Sequence, residues 1–233
     1  MNKKVLTVFL VLFALWLCSL TGFAQQIWQL DGAGASFPYP IYSKWFDEYR
    51  AVDPSVQINY QSIGSGGGIR QISALTVDFG ATDAPMSDED LIALERTLLH
   101  IPTVIGSVSI VYNIPGIGSG LQLTGDIIAE IYMGLISRWD DPKITALNPD
   151  LAIPSLAIAP ARRSDGSGTT FTLSDYLSVV SPQWSETVGR GSALRWPVGL
   201  GARGNEGVAA LVRQLPGAIG YVEQAYAEQN QLA

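Results

Sequence analysis

Apolar side chains recur along the chain with two periods, and these periods predict strands and helices in turn. Val56, Ile58 and Tyr60 alternate with polar residues, which is the period of a half-buried strand. After a glycine-rich break, apolar residues recur at helical spacing over residues 69–75, and residues 77–82 then form a short apolar run typical of a buried strand. Further strands are predicted at residues 104–112, 156–159 and 218–222, and further helices up to residue 49 and at residues 87–99, 124–132, 169–180, 206–215 and 225–233.

The alternation of strand and helix indicates an α/β protein with a largely parallel sheet, because a helical crossover joins parallel strands. The chain has 233 residues, which is enough for one large domain or for two lobes. We predict two lobes, residues 25–111 and residues 112–233, with the glycine-rich loop 113–120 following the crossover between them.

The first 24 residues have the pattern of a secretory signal peptide. Lys3 and Lys4 precede a nearly unbroken apolar run at residues 5–20, and a small-x-small cleavage pattern ends at Ala24. A membrane anchor is the alternative, but the run is short for a span and no positive flank follows it. We therefore expect cleavage after Ala24 and a periplasmic or other extracytoplasmic location. Cys18, the only cysteine, lies inside this segment, so the mature chain is expected to have no disulfide and no thiolate metal site.

Composition and net charge limit the kinds of ligand and partner that the chain is expected to bind. The chain is 47% hydrophobic and 15% charged, as globular proteins are, and its formal net charge is −7. Removal of Lys3 and Lys4 with the signal peptide takes that charge to −9. A chain this acidic is a poor candidate for binding nucleic acid, and any bound anion must be held by local geometry. The acidic residues show no metal-ligand spacing, and we predict no metal, no cofactor and a monomeric chain.

Three loops share one design, in which glycines and a hydroxyl stand where a helix begins. They span residues 32–38 with Ser36, residues 64–68 with Ser65, and residues 165–169 with Ser167. Free N–H groups and the positive end of the helix dipole make such a place suitable for an anion, and glycine lets the backbone come close to it. One such loop is most often an ordinary helix cap, but three after predicted strands favour a ligand site.

Two arginines stand beside the third loop. A guanidinium fork at Arg162 or Arg163 suits a tetrahedral oxyanion, and a salt bridge to Asp165 is the alternative. Both arrangements are compatible if Asp165 orients an arginine that faces the ligand. None of the loops has the lysine of a Walker motif, and no acidic residue follows at the spacing of a dinucleotide site.

Catalytic residues are scarce in the sequence. His100 is the only histidine, and its neighbours favour a position at a helix C-terminus over a general base. The G-x-S-x-G pattern is absent around Ser65 and Ser167. The scattered tryptophans that we assign to core or lobe packing are Trp45, Trp139, Trp184 and Trp196.

The chain resembles the periplasmic phosphate-binding proteins of phosphate ABC transporters. The strings that carry the resemblance run in order along the chain: GAGASFPYPIYSKW, NYQSIGSGGGIRQI, VDFGATDAPMSD, IPTVIG, RWDDPKITALNP, RRSDGSGTTF and WPVGLGARGNEGVAALVRQLPGAIGYVEQAYA. The resemblance covers the chain from about residue 30 to the last residue. It implies a two-lobed type II periplasmic binding fold that clamps inorganic phosphate between its lobes and delivers it to the transporter's membrane permease.

The resemblance also implies which residues bind phosphate. Ser36 supplies a hydroxyl and Phe37 a backbone N–H, and Ser65 supplies hydroxyl and N–H contacts. Asp83 faces the anion, Arg163 makes the charged contacts, and Asp165 pairs with Arg163. The second lobe closes the site with Ser167, Gly168 and Thr169.

A carboxylate in an anion site has a physical reason. Phosphate keeps a proton at neutral pH, and Asp83 can accept a hydrogen bond from it, whereas fully ionised sulfate has no proton to donate. A sulfate oxygen facing that carboxylate is disfavoured by several kcal/mol, on the order of a lost charged hydrogen bond plus repulsion. Without the resemblance, Asp83 would be interpreted as a cap of the following turn.

The resembling family continues beyond the residues present here and returns to its first lobe, so the chain is expected to be C-terminally truncated, with an incomplete first lobe and exposed apolar residues. Two other functions stay open from the sequence. One is a phosphatase-like enzyme that uses the same cradle. The other is an interaction protein, without a transport role, on a truncated receptor fold.

Overall fold

A computed structural model describes residues 26–94 and 96–233, which form two α/β lobes, each with its own sheet. The strands are β1 (Trp28–Gly34), β2 (Val56–Ser62), β3 (Phe79–Ala81), β4 (Val108–Tyr112), β5 (Ala159–Arg163), β6 (Leu200–Ala202) and β7 (Ala218–Glu223). The helices are α1 (Tyr39–Val52), α2 (Ser65–Ser73), α3 (Asp88–Ile92), α4 (Gly125–Met133), α5 (Pro142–Leu147), α6 (Gly168–Val180), α7 (Pro182–Thr187), α8 (Gly204–Gln214) and α9 (Gln224–Gln229). The predicted signal peptide and Cys18 lie outside the described residues.

The first lobe carries a parallel sheet in the order β2-β1-β3. The second lobe carries a sheet in the order β4-β7-β5-β6, in which β5 is parallel to both β7 and β6 while β4 is antiparallel to β7. The predicted lobe boundary after residue 111 falls inside β4, and the change from one sheet to the other lies between residues 81 and 108.

The second lobe contains the larger core of the described residues. Trp139, Trp184, Tyr132 and Leu177 are fully buried there, in agreement with the packing role predicted for the two tryptophans. Trp196 is half-buried between the rings of neighbouring aromatic residues. Burial of such side chains accounts for the tight packing of this lobe.

The first lobe buries much less apolar surface. Its buried cluster consists of Ala35, Tyr42 and Ala81 with a few half-buried neighbours. Trp45 was predicted to pack in a core, but it is 43% exposed and contacts the ring of Tyr42 on one side. Other large apolar side chains on or near this lobe are also exposed, among them Trp28, Ile92, Leu99, Ile101 and Ile105.

Several predicted elements differ in length from the observed ones. Ser87 caps α3 as predicted, through a 3.1 Å hydrogen bond from the Asp90 N–H, but the helix ends at Ile92 and does not reach residue 99. The strand predicted at residues 104–112 begins only at Val108, and the strand predicted at 156–159 is instead β5, which begins at Ala159. Thr124 caps α4 as predicted, accepting from the Ile127 N–H.

Candidate functional site

The carboxyl ends of the parallel strands of both sheets open onto one cleft between the lobes. Loops after β1, β2 and β3 carry Ser36, Ser65 and Asp83, and the loop after β5 leads into Ser167 at the start of α6. The lobes touch directly here, because the Gly66 N–H donates to the Gly166 carbonyl at 3.0 Å. In open α/β sheets this edge is where ligands collect.

Ser65 joins the two lobes through its hydroxyl. Its Oγ accepts hydrogen bonds from the Gly168 N–H at 3.1 Å and from the Asp83 N–H at 3.3 Å. Gly64, just before it, has a φ of 84°, and a Cβ there would lie 2.3 Å from Asp165 Oδ2. Glycine therefore permits both the backbone turn and the close approach of the second lobe. Ser65 does not cap its own helix.

Ser36 is also buried, and it accepts hydrogen bonds from residues of the second lobe. Its Oγ accepts from the Asn205 backbone N–H at 3.0 Å and from the Asn205 side-chain Nδ2 at 2.8 Å. The Ser36 carbonyl accepts from the Tyr226 hydroxyl at 2.7 Å. The neighbouring Phe37 is half-buried, and its backbone N–H has no hydrogen-bond acceptor in the described part of the chain.

Arg163 brings a buried positive charge to the cleft. Its side chain is 1% exposed, and its Nε and Nη2 donate to the two carboxylate oxygens of Asp165 at 2.8 and 2.5 Å. Asp165 is held in turn by the Gly204 N–H. Burial alone would raise the pKa of Asp165, but its hydrogen bonds and attraction to Arg163 outweigh burial and lower that pKa. The paired geometry directs the third guanidinium nitrogen, Nη1, towards Thr169, 3.5 Å away.

Asp83 lies opposite this charge. Thr169 Oγ1 donates to Asp83 Oδ2 at 3.3 Å, and the side chain of Asp83 packs on Gly168, where a Cβ would lie 2.4 Å from the Asp83 Cβ. Burial raises the pKa of Asp83 to about 6, even though Arg163 and the Thr169 hydrogen bonds act to lower it. The carboxyl group therefore holds its proton to a higher pH than an exposed aspartate does.

Ser167 has the role of a helix cap. Its Oγ accepts from the Thr170 N–H at 3.0 Å at the start of α6, and it is fully buried. Its backbone N–H donates to the Ser192 carbonyl at 2.8 Å, so both of these Ser167 groups make contacts within the second lobe. Arg162 is half-buried, and the contact found for its guanidinium is with the adjacent Arg163 carbonyl at 3.4 Å.

His100 and the described acidic residues form no second candidate site. His100 was predicted at a helix C-terminus, but it lies in a segment without regular secondary structure, and its Nε2 accepts a hydrogen bond from the Met86 N–H. Among residues 26–94 and 96–233, no group of three or more His, Cys, Asp or Glu side chains is arranged to hold a metal ion. None of the helices within these ranges is long and apolar enough to cross a bilayer.

A family model described as a PBP superfamily domain matches residues 21–233. The chain belongs to the PBP superfamily. It is 52% identical over 216 residues to the phosphate-binding protein PstS of Pasteurella multocida, an alignment that covers 92% of this chain and 61% of the relative. It is 53% identical over 205 residues to the protein of the same name from Haemophilus influenzae, covering 88% and 60%. The chain thus spans about three fifths of the length of these curated relatives.

A solved structure supports the fold of this superfamily member. A protein from Clostridium perfringens, crystallised with bound phosphate, superposes with a TM-score of 0.68 at 19% identity, covering 87% of this chain and 73% of that one. The predicted fold class, the α/β type II periplasmic binding fold with two lobes, is confirmed by the two sheets and by this likeness.

The PBP chain also contains polar residues at the cleft that the sequence did not reveal. Asn205, Tyr221 and Tyr226 are buried, and each makes a hydrogen bond to a predicted site residue or its neighbour. Burial raises the pKa of Tyr221 to about 12, so its hydroxyl stays neutral between the Arg163 N–H and Thr170. A signal for Asn205 was present, since Gly204 and Asn205 follow a strand and precede a helix as the other three loops do.

Proposed function

We propose that this chain is an extracytoplasmic receptor that binds inorganic phosphate between its lobes and delivers it to the permease of an ABC transporter. The observation that carries the proposal is the convergence, at one cleft, of hydroxyl and N–H donors with the buried guanidinium of Arg163 and the buried carboxyl group of Asp83. The curated relatives named phosphate-binding protein PstS support the same ligand. The signal-peptide pattern at residues 1–24 supports export.

The hydrogen-bond donors at the cleft support the proposal that its ligand is an anion. A serine hydroxyl has two acceptor lone pairs and one donor proton, and in Ser36 and Ser65 two N–H groups already occupy the acceptor side. Both hydroxyls are therefore left to donate. The Phe37 N–H, which has no acceptor among residues 26–94 and 96–233, and Nη1 of Arg163 add donors. Asp165 holds the other two nitrogens of the Arg163 guanidinium and keeps its charge in place.

The carboxylate of Asp83 favours an oxyanion that carries a proton as the proposed ligand. At neutral pH the monoanion or dianion of phosphate can donate its proton to this carboxylate, whereas sulfate presents only acceptors. Burial raises the pKa of Asp83, which means that it disfavours the charged carboxylate, and a hydrogen bond from a ligand proton would offset that effect. Discrimination against sulfate follows from leaving the charge unpaired.

The experiment is calorimetric titration of the purified protein with phosphate and with sulfate. We expect tight binding of phosphate and weak or undetectable binding of sulfate. Asp83→Asn, whose amide can also donate, should narrow the difference between the two anions by at least about tenfold, which corresponds to 1.4 kcal/mol. Asp150→Asn, at an exposed position, is the matched control. Equal affinity for both anions in the unmodified protein, or no binding by a folded sample, would overturn the proposal.

A catalytic role is not part of the proposal. Ser167, the nucleophile that a phosphatase-like reaction would use, accepts the Thr170 N–H through its Oγ, and the sole histidine of the sequence contacts Met86 instead of a serine. We expect no turnover of a phosphomonoester and no binding of nucleic acid, and we expect a monomer by light scattering. Turnover that disappears in Ser167→Ala would instead favour an enzyme.

A further inference from the structure

Asn205 is a fully buried amide that connects both lobes at the cleft. It lies at the start of α8, after β6, and its exposed fraction is 0%. Its backbone N–H and its Nδ2 both donate to Ser36 Oγ, which belongs to the loop after β1 in the other lobe. Nδ2 also lies 3.4 Å from Thr169 Oγ1. One side chain therefore contacts two residues proposed to bind phosphate.

The orientation of this amide is fixed by the sheet. Asn205 Oδ1 accepts the Glu223 backbone N–H at 3.0 Å, at the end of β7. A backbone N–H can only donate, so the amide oxygen must face β7 and the NH₂ group must face Ser36. The second lobe therefore presents the Asn205 NH₂ group, a donor, to the Ser36 hydroxyl of the first lobe.

The two hydrogen bonds from Asn205 determine where the Ser36 hydroxyl proton points. Two N–H donors from Asn205 fill the two acceptor positions of Ser36 Oγ, so the O–H bond is directed away from Asn205. Ser65 is oriented in a similar way, but its two donors are backbone N–H groups, which no substitution other than proline removes. The orientation of the Ser36 hydroxyl therefore depends in part on one side chain, that of Asn205.

We propose that Asn205 is a positioning residue that holds the Ser36 hydroxyl as a donor towards phosphate, a role that rests on the proposed function. It acts through Ser36 and need not touch the anion. Its removal leaves the backbone N–H bond in place but frees one lone pair, so that the Ser36 proton can rotate away from the ligand.

The test is a double-mutant cycle on the purified protein, read by phosphate affinity in calorimetry. Asn205→Ala alone should weaken phosphate binding by about five- to tenfold, the effect of one hydrogen bond. In a Ser36→Ala background, the same change should weaken it by less than about twofold, because only the longer contact of Asn205 remains, at 3.4 Å to Thr169 Oγ1 against 2.8 Å to Ser36 Oγ. A purely structural role would give the same loss in both backgrounds and would overturn the inference.

A matched control separates this role from general damage. Asn148 is another buried asparagine of the second lobe, and its amide is satisfied by Gln122 and Ile144 away from the cleft. Asn148→Ala should lower the thermal unfolding temperature while leaving phosphate affinity unchanged. Loss of affinity in this control equal to that in Asn205→Ala would overturn the inference.

A second variant covers the case in which Asn205→Ala does not fold. Asn205→Asp keeps the acceptor for the Glu223 N–H but offers Ser36 a carboxylate oxygen, which takes the hydroxyl proton away from the anion. We expect it to weaken phosphate binding more than Asn205→Ala does, and unchanged affinity would overturn the inference. If the unmodified protein binds no phosphate, the proposed function and this inference fail together. If the unmodified protein binds phosphate but the affinity losses of Asn205→Ala and Ser36→Ala simply add in the double variant, only this inference fails.

Discussion

Asp83 should make the protein less stable as the pH rises, which is unusual for a carboxyl group beside an arginine. Burial is the largest influence on it, and it raises the pKa from 3.8 to about 6 against the opposing effects of Arg163 and Thr169. The folded protein therefore holds the Asp83 proton at pH values where the unfolded chain has lost it. Linkage then requires stability to fall as the pH rises from about 4 to about 6, with the penalty complete above that range.

The magnitude follows from the two pKa values. A rise from 3.8 to about 6 is about two units, and at 1.36 kcal/mol per unit the penalty on the free energy of unfolding is about 3 kcal/mol above pH 7. At pH 4, close to the pKa of the unfolded chain, the penalty should be below about 1 kcal/mol, because a substantial fraction of the unfolded chains then also keeps the Asp83 proton. Asp83→Asn removes the titrating group and should abolish this pH dependence while keeping an acceptor for Thr169.

Urea unfolding of the unmodified protein and of Asp83→Asn, at several pH values between 4 and 8 and in buffers free of phosphate and sulfate, measures the difference. We expect Asp83→Asn to become progressively more stable relative to the unmodified protein as the pH rises. Asp150→Asn removes the same charge from an exposed position and should follow the unmodified protein. A difference that stays constant with pH, or that grows towards acid, would refute the argument that burial dominates at Asp83.

Two further substitutions test the contacts around the cleft. Gly168→Ala places a Cβ where the Asp83 side chain lies, 2.6 Å from its Oδ2, and should reduce phosphate affinity by at least about tenfold in calorimetry without changing the circular dichroism spectrum. Unchanged affinity would mean that Asp83 can move at no cost. Asp165→Asn leaves the buried guanidinium of Arg163 without its charged partner and should lower the free energy of unfolding by about 3 kcal/mol in urea. A loss under about 0.5 kcal/mol would show that the pair adds nothing to the fold.

Elements were predictable where the local pattern and the tertiary packing agree. The start of α3 illustrates this, because a serine followed by acidic residues satisfies and stabilises the first turn by itself. Its end was not predictable in the same way. The apolar residues that extended the prediction to residue 99 find no surface to cover, as Ile92 is 81% and Leu99 80% exposed. A short helix gains little from propensity alone, so without burial it ends early.

The strand β5 was misplaced for a related reason. Hydropathy favours residues 156–159, but the observed strand extends to Arg163, because its register is set by pairing with β6 and β7. Arg163 is a charged residue in a buried position, and only the carboxylate of Asp165 makes that position tolerable. A pattern of apolar and polar residues cannot anticipate a charge that is buried together with its partner.

The cleft shows the same limit at the level of single hydroxyl groups. The glycine-hydroxyl loops around Ser65 and Ser167 belong to different lobes, and they meet through the Gly66 N–H bond to the Gly166 carbonyl and the Gly168 N–H bond to Ser65 Oγ. From sequence, each serine is most simply a helix cap, and for Ser167 that interpretation agrees with the structure. Ser36 instead bonds to Asn205, 169 positions away, and Ser65 bonds to Gly168, 103 positions away. The second lobe therefore supplies both donors to Ser36 and one of the two donors to Ser65, and contacts of this kind follow from how the lobes meet and not from the sequence of any single loop.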